Sequence, residues 1–323
     1  MYCNFYGLNQ KPFELAPVGG LVYFSEAHRE AIATLRYGVI ADKGFLLLTG
    51  GVGSGKTTLL NTLLGMLKDK VQVCVLNNPK LKRNEFFCYL GGKIGLDYNG
   101  NKGQFLLKFS DLLVKHKKEG SKLLLIIDEA QVFSIDLFEE IRLLSNLAED
   151  QNVLGIFLIG QPELQEKLAD PILLPLRQRI GIRYHLEPLN RDDTGQYILY
   201  RLNKAGAANP ALFTTEAIDC IFEASMGNPR LINVICDHAM ISGFTSEKNK
   251  IDRDIIVDCI KVIRLQGEER LQISELLEKT VTAPVVRNRA RKSLPAAVFA
   301  LVALILATSG SLLYFFPLLK WFP

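Results

Sequence analysis

One stretch constrains this chain more than any other: Gly50-Gly51-Val52-Gly53-Ser54-Gly55-Lys56-Thr57. It satisfies the spacing G-x-x-x-x-G-K-S/T. Phe45-Leu46-Leu47-Leu48 comes just before it and reads as a buried strand. Thr58 to Leu64 comes just after, with apolar residues at helical spacing. Strand, glycine loop and helix is the context this spacing requires. The glycines let backbone N–H groups turn toward a phosphate chain, and the positive end of the helix faces the same oxygens. The expectation is a cradle for a triphosphate built from Gly50 through Thr58. Lys56 would bridge the β- and γ-phosphates, and the Thr57 hydroxyl would ligate Mg²⁺.

A second motif is Leu123-Leu124-Leu125-Ile126-Ile127-Asp128-Glu129. A continuous apolar run that ends in acids predicts a buried parallel strand with its C-terminal edge at a ligand. Asp128 is expected to hold Mg²⁺ and Glu129 to act as general base toward water. Val153 to Ile159 predicts another core strand, ending at Gly160-Gln161. Gln161 then falls between the two motifs, placed to sense the γ-phosphate or orient the water. Arg177 and Arg179 precede an apolar strand, Ile182 to Leu186. Either could reach the γ-phosphate of a neighbouring subunit. After Pro188 the pattern turns helical: Asp192 to Ala205, Thr215 to Ala224, Pro229 to Thr245 and Arg253 to Ile263. Pro229 suits the first turn of its helix. Arg230 beside it can point back toward the phosphates.

Ahead of the loop, Ser25 reads as the N-cap of a helix carrying His28, Ala31, Leu35 and Val39. Phe13, Tyr23 and His28 are candidates for packing on a base, with core packing the competing fate. Lys115-His116-Lys117-Lys118 reads as the solvated C-terminus of a helix. Net charge is only +4, which disfavours a dedicated nucleic-acid binder. Six cysteines without a C-x-x-C pair read as reduced residues in a reducing compartment. Met1 to Gln10 lacks the pattern of a cleavable signal.

The far end differs. No charged residue occurs from Leu294 to Leu319. As a helix, residues 296–316 would span about 31 Å, a bilayer core. Arg287, Arg289, Arg291 and Lys292 precede the run and Lys320 follows it. That asymmetry places the large N-terminal part in the cytoplasm. The expected organisation is an α/β core with a parallel sheet over 1–188 and a helical lid over 189–265. A charged helix and linker follow over 266–293, then a single transmembrane helix over 294–319 and a short tail over 320–323.

These motifs, in this order, resemble those of AAA+ ATPases. More narrowly they are similar to the membrane-anchored ATPases of the general secretion pathway protein A family. Tyr6-Gly7-Leu8, Pro12-Phe13, Ser25 to Gly38, Gly50 to Thr57, Ile126 to Gln131, Gly160 to Leu164, Leu176 to Ile180, Ala205-Gly206 and Gly227 to Leu231 carry the resemblance. It implies Walker A at Gly50 to Thr57 and Walker B at Asp128 and Glu129. It also implies a first sensor at Gln161, a second at Arg230 and a trans-acting finger at Arg177 or Arg179. The activity implied is Mg²⁺-dependent ATP hydrolysis by a homo-oligomer in the bacterial inner membrane. Envelope secretion or export proteins are the implied partners, and relatives also serve exopolysaccharide export and pilus assembly. Two other readings share the core, an ATP-binding switch with negligible hydrolysis and a DNA-transposition ATPase. The chain departs from the family at Pro17-Val18-Gly19, where members usually read Pro-Asp-Pro. It also ends at Pro323, where secretion members often continue into a peptidoglycan-binding domain.

Overall fold

A run such as Leu46-Leu47-Leu48 has no polar face to show, so its strand must be covered on both sides. The computed structural model describes residues 2–14, 22–41, 43–67, 71–77, 80–149, 151–207 and 209–263. The strands are β1 (Phe45–Gly50), β2 (Val71–Leu76), β3 (Lys122–Ile127), β4 (Leu154–Gly160) and β5 (Ile180–Leu186). They form a five-stranded sheet in the order β2-β3-β4-β1-β5, with every pair parallel.

Alternate residues of β1 divide between two cores, as the period of a strand dictates. Leu46 and Leu48 pack with α2 (Glu26–Ile40) and α3 (Lys56–Met66) on one face. Phe45 and Leu47 pack on the other with α4 (Arg83–Ile94), α5 (Lys102–Glu119) and α6 (Ile135–Leu147). Two short helices, α7 (Glu163–Leu168) and α8 (Leu174–Gln178), connect β4 to β5. This strand order sets the C-terminal ends of β3, β4 and β1 side by side. Asp128, Gln161 and the glycine loop therefore share one edge.

Two boundaries differ from the sequence pattern for local reasons. β5 starts at Ile180 rather than Ile182, because a register shift lets Ile180 pair with Phe45 across Gly181. A Cβ at Gly181 would lie 2.7 Å from the Lys43 carbonyl oxygen. The apolar spacing of Phe105, Phe109 and Leu113 predicts a helix from Phe105, but α5 starts at Lys102, because the Asn101 side chain caps it by accepting from the Gln104 N–H at 3.1 Å. His116, expected at a solvated helix end, instead turns inward and sits 2.7 Å from the Ser121 hydroxyl.

The helices α4, α5 and α6 are joined by a buried acid. Glu140 is 2% exposed and faces Arg83 Nε at 2.8 Å and Lys102 Nζ at 2.6 Å. A buried carboxylate stripped of its cations is strongly destabilising. The double substitution Arg83→Ala/Lys102→Ala is expected to lower unfolding free energy by about 3–5 kcal/mol. Urea denaturation measures it, and adding Glu140→Met should recover most of the loss.

The remaining helices are α9 (Arg191–Lys204), α10 (Thr215–Ser225), α11 (Pro229–Thr245) and α12 (253–263). They bury a core of their own through Leu202, Ile221, Ile232, Ala239 and Ile256. The N-terminal residues join this lid rather than the sheet. Tyr2, on the single turn α1 (Tyr2–Phe5), and Tyr6, Leu8 and Phe13 are all in the lid core. Tyr2 donates to Asp237 Oδ1 at 2.6 Å, and Arg201 donates to the Pro12 and Glu14 carbonyls at 2.6 and 2.7 Å. Phe13 is thereby a lid core residue and not a contact for a base.

All six cysteines are free, with Cys88 exposed and Cys74, Cys220, Cys236 and Cys259 buried. Among the described residues no helix is long and apolar enough to cross a membrane. The segments 266–293, 294–319 and 320–323 lie outside the described residues, as do Pro17-Val18-Gly19.

Candidate active site

β1 ends at Gly50 and the chain must turn within five residues to start α3 at Lys56. Gly53 and Gly55 make that turn with φ of +77° and +98°, backbone that residues with a Cβ avoid. The Lys56 amine folds back on the loop and donates to the Gly50 and Gly51 carbonyls at 2.9 and 2.8 Å. Burial pushes its pKa down, and the charges of Glu129, Asp128 and Glu163 pull it back up. Ser54 Oγ is buried without a hydrogen-bond partner among the described residues. Thr57 is exposed and lines the cavity with Thr58.

These features fit a bound triphosphate. A phosphate oxygen would supply the acceptor that the Ser54 hydroxyl lacks. The hard oxygens of Thr57 and Asp128 suit Mg²⁺.

At the end of β3, Asp128 Oδ1 accepts the Glu129 N–H at 3.0 Å. Burial raises the Asp128 pKa. The Glu129 N–H and the Lys56 charge act to lower it, while the Glu129 charge adds to the rise. Glu129 itself is held at φ 54° and ψ 39°, a left-handed conformation that costs a non-glycine residue on the order of 1 kcal/mol. Two amides grip its carboxylate. Oε2 accepts from Gln131 Nε2 at 2.6 Å and from Gln161 Nε2 at 3.3 Å. The Gln161 N–H in turn donates to Gln131 Oε1 at 3.2 Å. A Cβ at Gly160 would stand 2.6 Å from that oxygen. Lys167 fixes the turn from outside by donating to the Gln131 and Phe133 carbonyls at 2.5 and 2.7 Å.

One cavity of about 390 Å³ gathers Lys56, Thr57, Thr58, Glu129, Gln161 and Arg230. That volume is ordinary for a small-molecule site. Arg230 is exposed, and its side chain has no hydrogen-bond or ion-pair partner among the described residues. The cavity is also lined by Tyr23, His28, Leu189, Tyr197, Arg201 and Asn233. The Tyr197 hydroxyl donates to Asn233 Oδ1 at 2.8 Å. His28 Nδ1 lies 2.8 Å from the Ser25 hydroxyl. Burial lowers the His28 pKa, and a backbone hydrogen bond at Ser54 works against that shift. His28 Nε2 stands 3.4 Å from where a Cβ on Gly55 would be, so α2 meets the glycine loop there.

Arg177 and Arg179 are not in this cavity. They precede β5, whose first residue pairs with Phe45 at the far end of β1 from Gly50. Arg179 is committed within the subunit, donating to Glu149 Oε2 at 3.1 Å and Ser145 Oγ at 2.9 Å. Arg177 is half-buried and has no side-chain ion pair or hydrogen bond among the described residues.

The sequence did not single out Gln131, Asn228, Tyr197, Arg201 or Asn233 as site residues. The available signal was a glutamine two residues after the acid and an N-cap asparagine before Arg230.

A parallel sheet with a glycine loop after one strand, an acid pair after another and a helical lid defines a P-loop AAA+ protein. The comparisons agree. A sequence-family model described as an AAA domain matches residues 40–168. General secretion pathway protein A of Aeromonas hydrophila is 40% identical over 254 residues, covering 78% of this chain and 46% of that protein. This chain therefore fits the general secretion pathway protein A family of AAA+ proteins, and it spans about half the length of that curated relative.

Solved structures show the same fold at low identity. Drosophila ORC bound to DNA matches with a TM-score of 0.60 and 16% identity, over 93% of this chain and 77% of that one. The Aeropyrum pernix ORC2 protein in its ADPNP–ADP complexes matches at 0.56 and 16%, over 94% and 90%. CDC6P from Pyrobaculum aerophilum matches at 0.56 and 15%, over 73% and 67%.

Proposed function

We propose that this chain hydrolyses ATP and that hydrolysis drives assembly or gating of a cell-envelope secretion or export system. The observation that carries the reading is one cavity lined by Lys56, Glu129, Gln161 and Arg230. Lys56 leaves the Gly50 and Gly51 carbonyls and neutralises the phosphate oxygens. Glu129 accepts the proton of the attacking water, with Gln131 and Gln161 fixing which way its carboxylate faces. Arg230 reaches the γ-phosphate from the lid. Mg²⁺, held by Thr57 and Asp128 when bound, neutralises charge on the phosphates.

The finger in this reading is Arg177 of a neighbouring copy, since Arg179 is already paired with Glu149. Activity then requires a homo-oligomer. The uncharged stretch 294–319 with its preceding basic cluster supports a single-pass anchor in the bacterial inner membrane, the motor domain on the cytoplasmic side. The likeness to general secretion pathway protein A supports secretion partners in that membrane.

Binding is the first test. Lys56→Ala is expected to weaken ATP affinity about 10–150-fold, the value of charge-assisted hydrogen bonds. Titration of a fluorescent ATP analogue measures it. Equal affinity in both proteins would remove the glycine loop from the site.

A further inference from the structure

The stretch Gly227-Asn228-Pro229-Arg230 meets three parts of the molecule in succession. Gly227 holds φ +72°, and its carbonyl accepts the Leu189 N–H at 3.0 Å, at the junction of β5 and the lid. A Cβ there would overlap the Leu189 carbonyl oxygen. Asn228 caps α11, its Oδ1 accepting the N–H of Arg230 at 3.0 Å and of Leu231 at 3.4 Å. That pairing fixes the amide's orientation, because an Nδ2 in the same place could accept neither bond. Nδ2 therefore points the other way, and there it donates to the Val52 carbonyl at 2.6 Å.

One side chain thus joins the backbone of Arg230 directly to the tip of the phosphate loop. Arg230 needs this. Its guanidinium has no partner among the described residues. Its Cβ and Cδ lie 2.6 and 3.3 Å from where a Cβ on Gly53 would be, so it crosses the loop at contact distance.

We propose that Asn228 is the positioning residue that seats Arg230 over the phosphate loop, and so sets how strongly the site prefers ATP to ADP. The inference rests on the nucleotide-binding reading of the cavity. Val52 O accepts the strap only while the lid stands where it does, so the angle of the lid and the reach of Arg230 are fixed together.

Two neutral substitutions separate the strap from the cap. Asn228→Ser keeps an oxygen that caps a helix well, yet is too short to reach the Val52 carbonyl. Asn228→Ala loses both. The measurement is equilibrium binding of fluorescent ATP and ADP analogues to the full-length chain with detergent in every sample, beside a thermal melt. In both variants ATP affinity is expected to fall about three- to tenfold, the worth of one hydrogen bond. ADP affinity should change less than twofold, and Asn228→Ala, which also loses the cap, should melt earlier than Asn228→Ser.

Unchanged ATP-to-ADP preference in Asn228→Ser overturns the inference. So does a loss seen only in Asn228→Ala, which would assign the effect to the cap. If the wild-type chain binds neither nucleotide, the reading beneath it fails as well, and that outcome is visible without any variant.

Discussion

Arg177→Ala is expected to cut ATP turnover per subunit by about 10³–10⁵-fold, the contribution of an arginine supplied across a subunit boundary. Arg179→Ala should leave turnover nearly intact. It removes a surface pair with Glu149, worth at most about 1 kcal/mol of stability. The contrast follows from position. Both arginines stand at the N-terminal end of β5, and the phosphate loop stands past the C-terminal end of β1. The five residue steps between Phe45 and Gly50 cover about 17 Å. No arginine side chain bridges that distance, so neither can serve its own cleft. Of the two, Arg177 is the one without a side-chain partner among the described residues. Steady-state phosphate release from the two variants measures the contrast. A larger loss in Arg179→Ala would reassign the finger.

Glu129→Gln is expected to slow turnover by about 10²–10⁴-fold while ATP affinity stays within a few-fold of wild type. The change removes the base and keeps the shape. A glutamine oxygen at this position can still accept from Gln131 Nε2 and Gln161 Nε2, so the turn after β3 should hold. Phosphate release together with nucleotide titration checks both halves. Lost affinity with lost turnover would mean that Glu129 organises the loop instead of the water.

How much of this was legible in the sequence depends on how far apart the partners lie along the chain. β1, β3 and β4 were readable because four apolar residues in a row admit few alternatives. The loop from Gly50 to Thr57 and the acids Asp128 and Glu129 were readable because each motif is contiguous. The position of Gln161 followed from the end of its strand.

What was not legible depends on approaches between distant elements. The bond from Asn228 to Val52 spans 176 residues. The Gln131 contact with Gln161 spans 30 residues and needs β3 and β4 to be neighbours. The N-terminal aromatics suited a core better than a base pocket, but which core lay out of sight, since Tyr2 finds Asp237 a full 235 residues away. Arg177 and Arg179 were equivalent in the sequence, and the proximity of Glu149 and Ser145 to Arg179 separates them.

The most direct test of the account is complementation in mixed assemblies. Arg177→Ala subunits keep an intact cleft and lack the finger. Glu129→Gln subunits keep the finger and lack the base. Co-expressed as one assembly, the two inactive chains should recover ATP turnover to within about tenfold of wild type, because each Arg177→Ala cleft that faces a Glu129→Gln neighbour is complete. A mixed assembly as inactive as its separate components, beside an active wild type, would contradict a cleft completed by the neighbouring copy's Arg177.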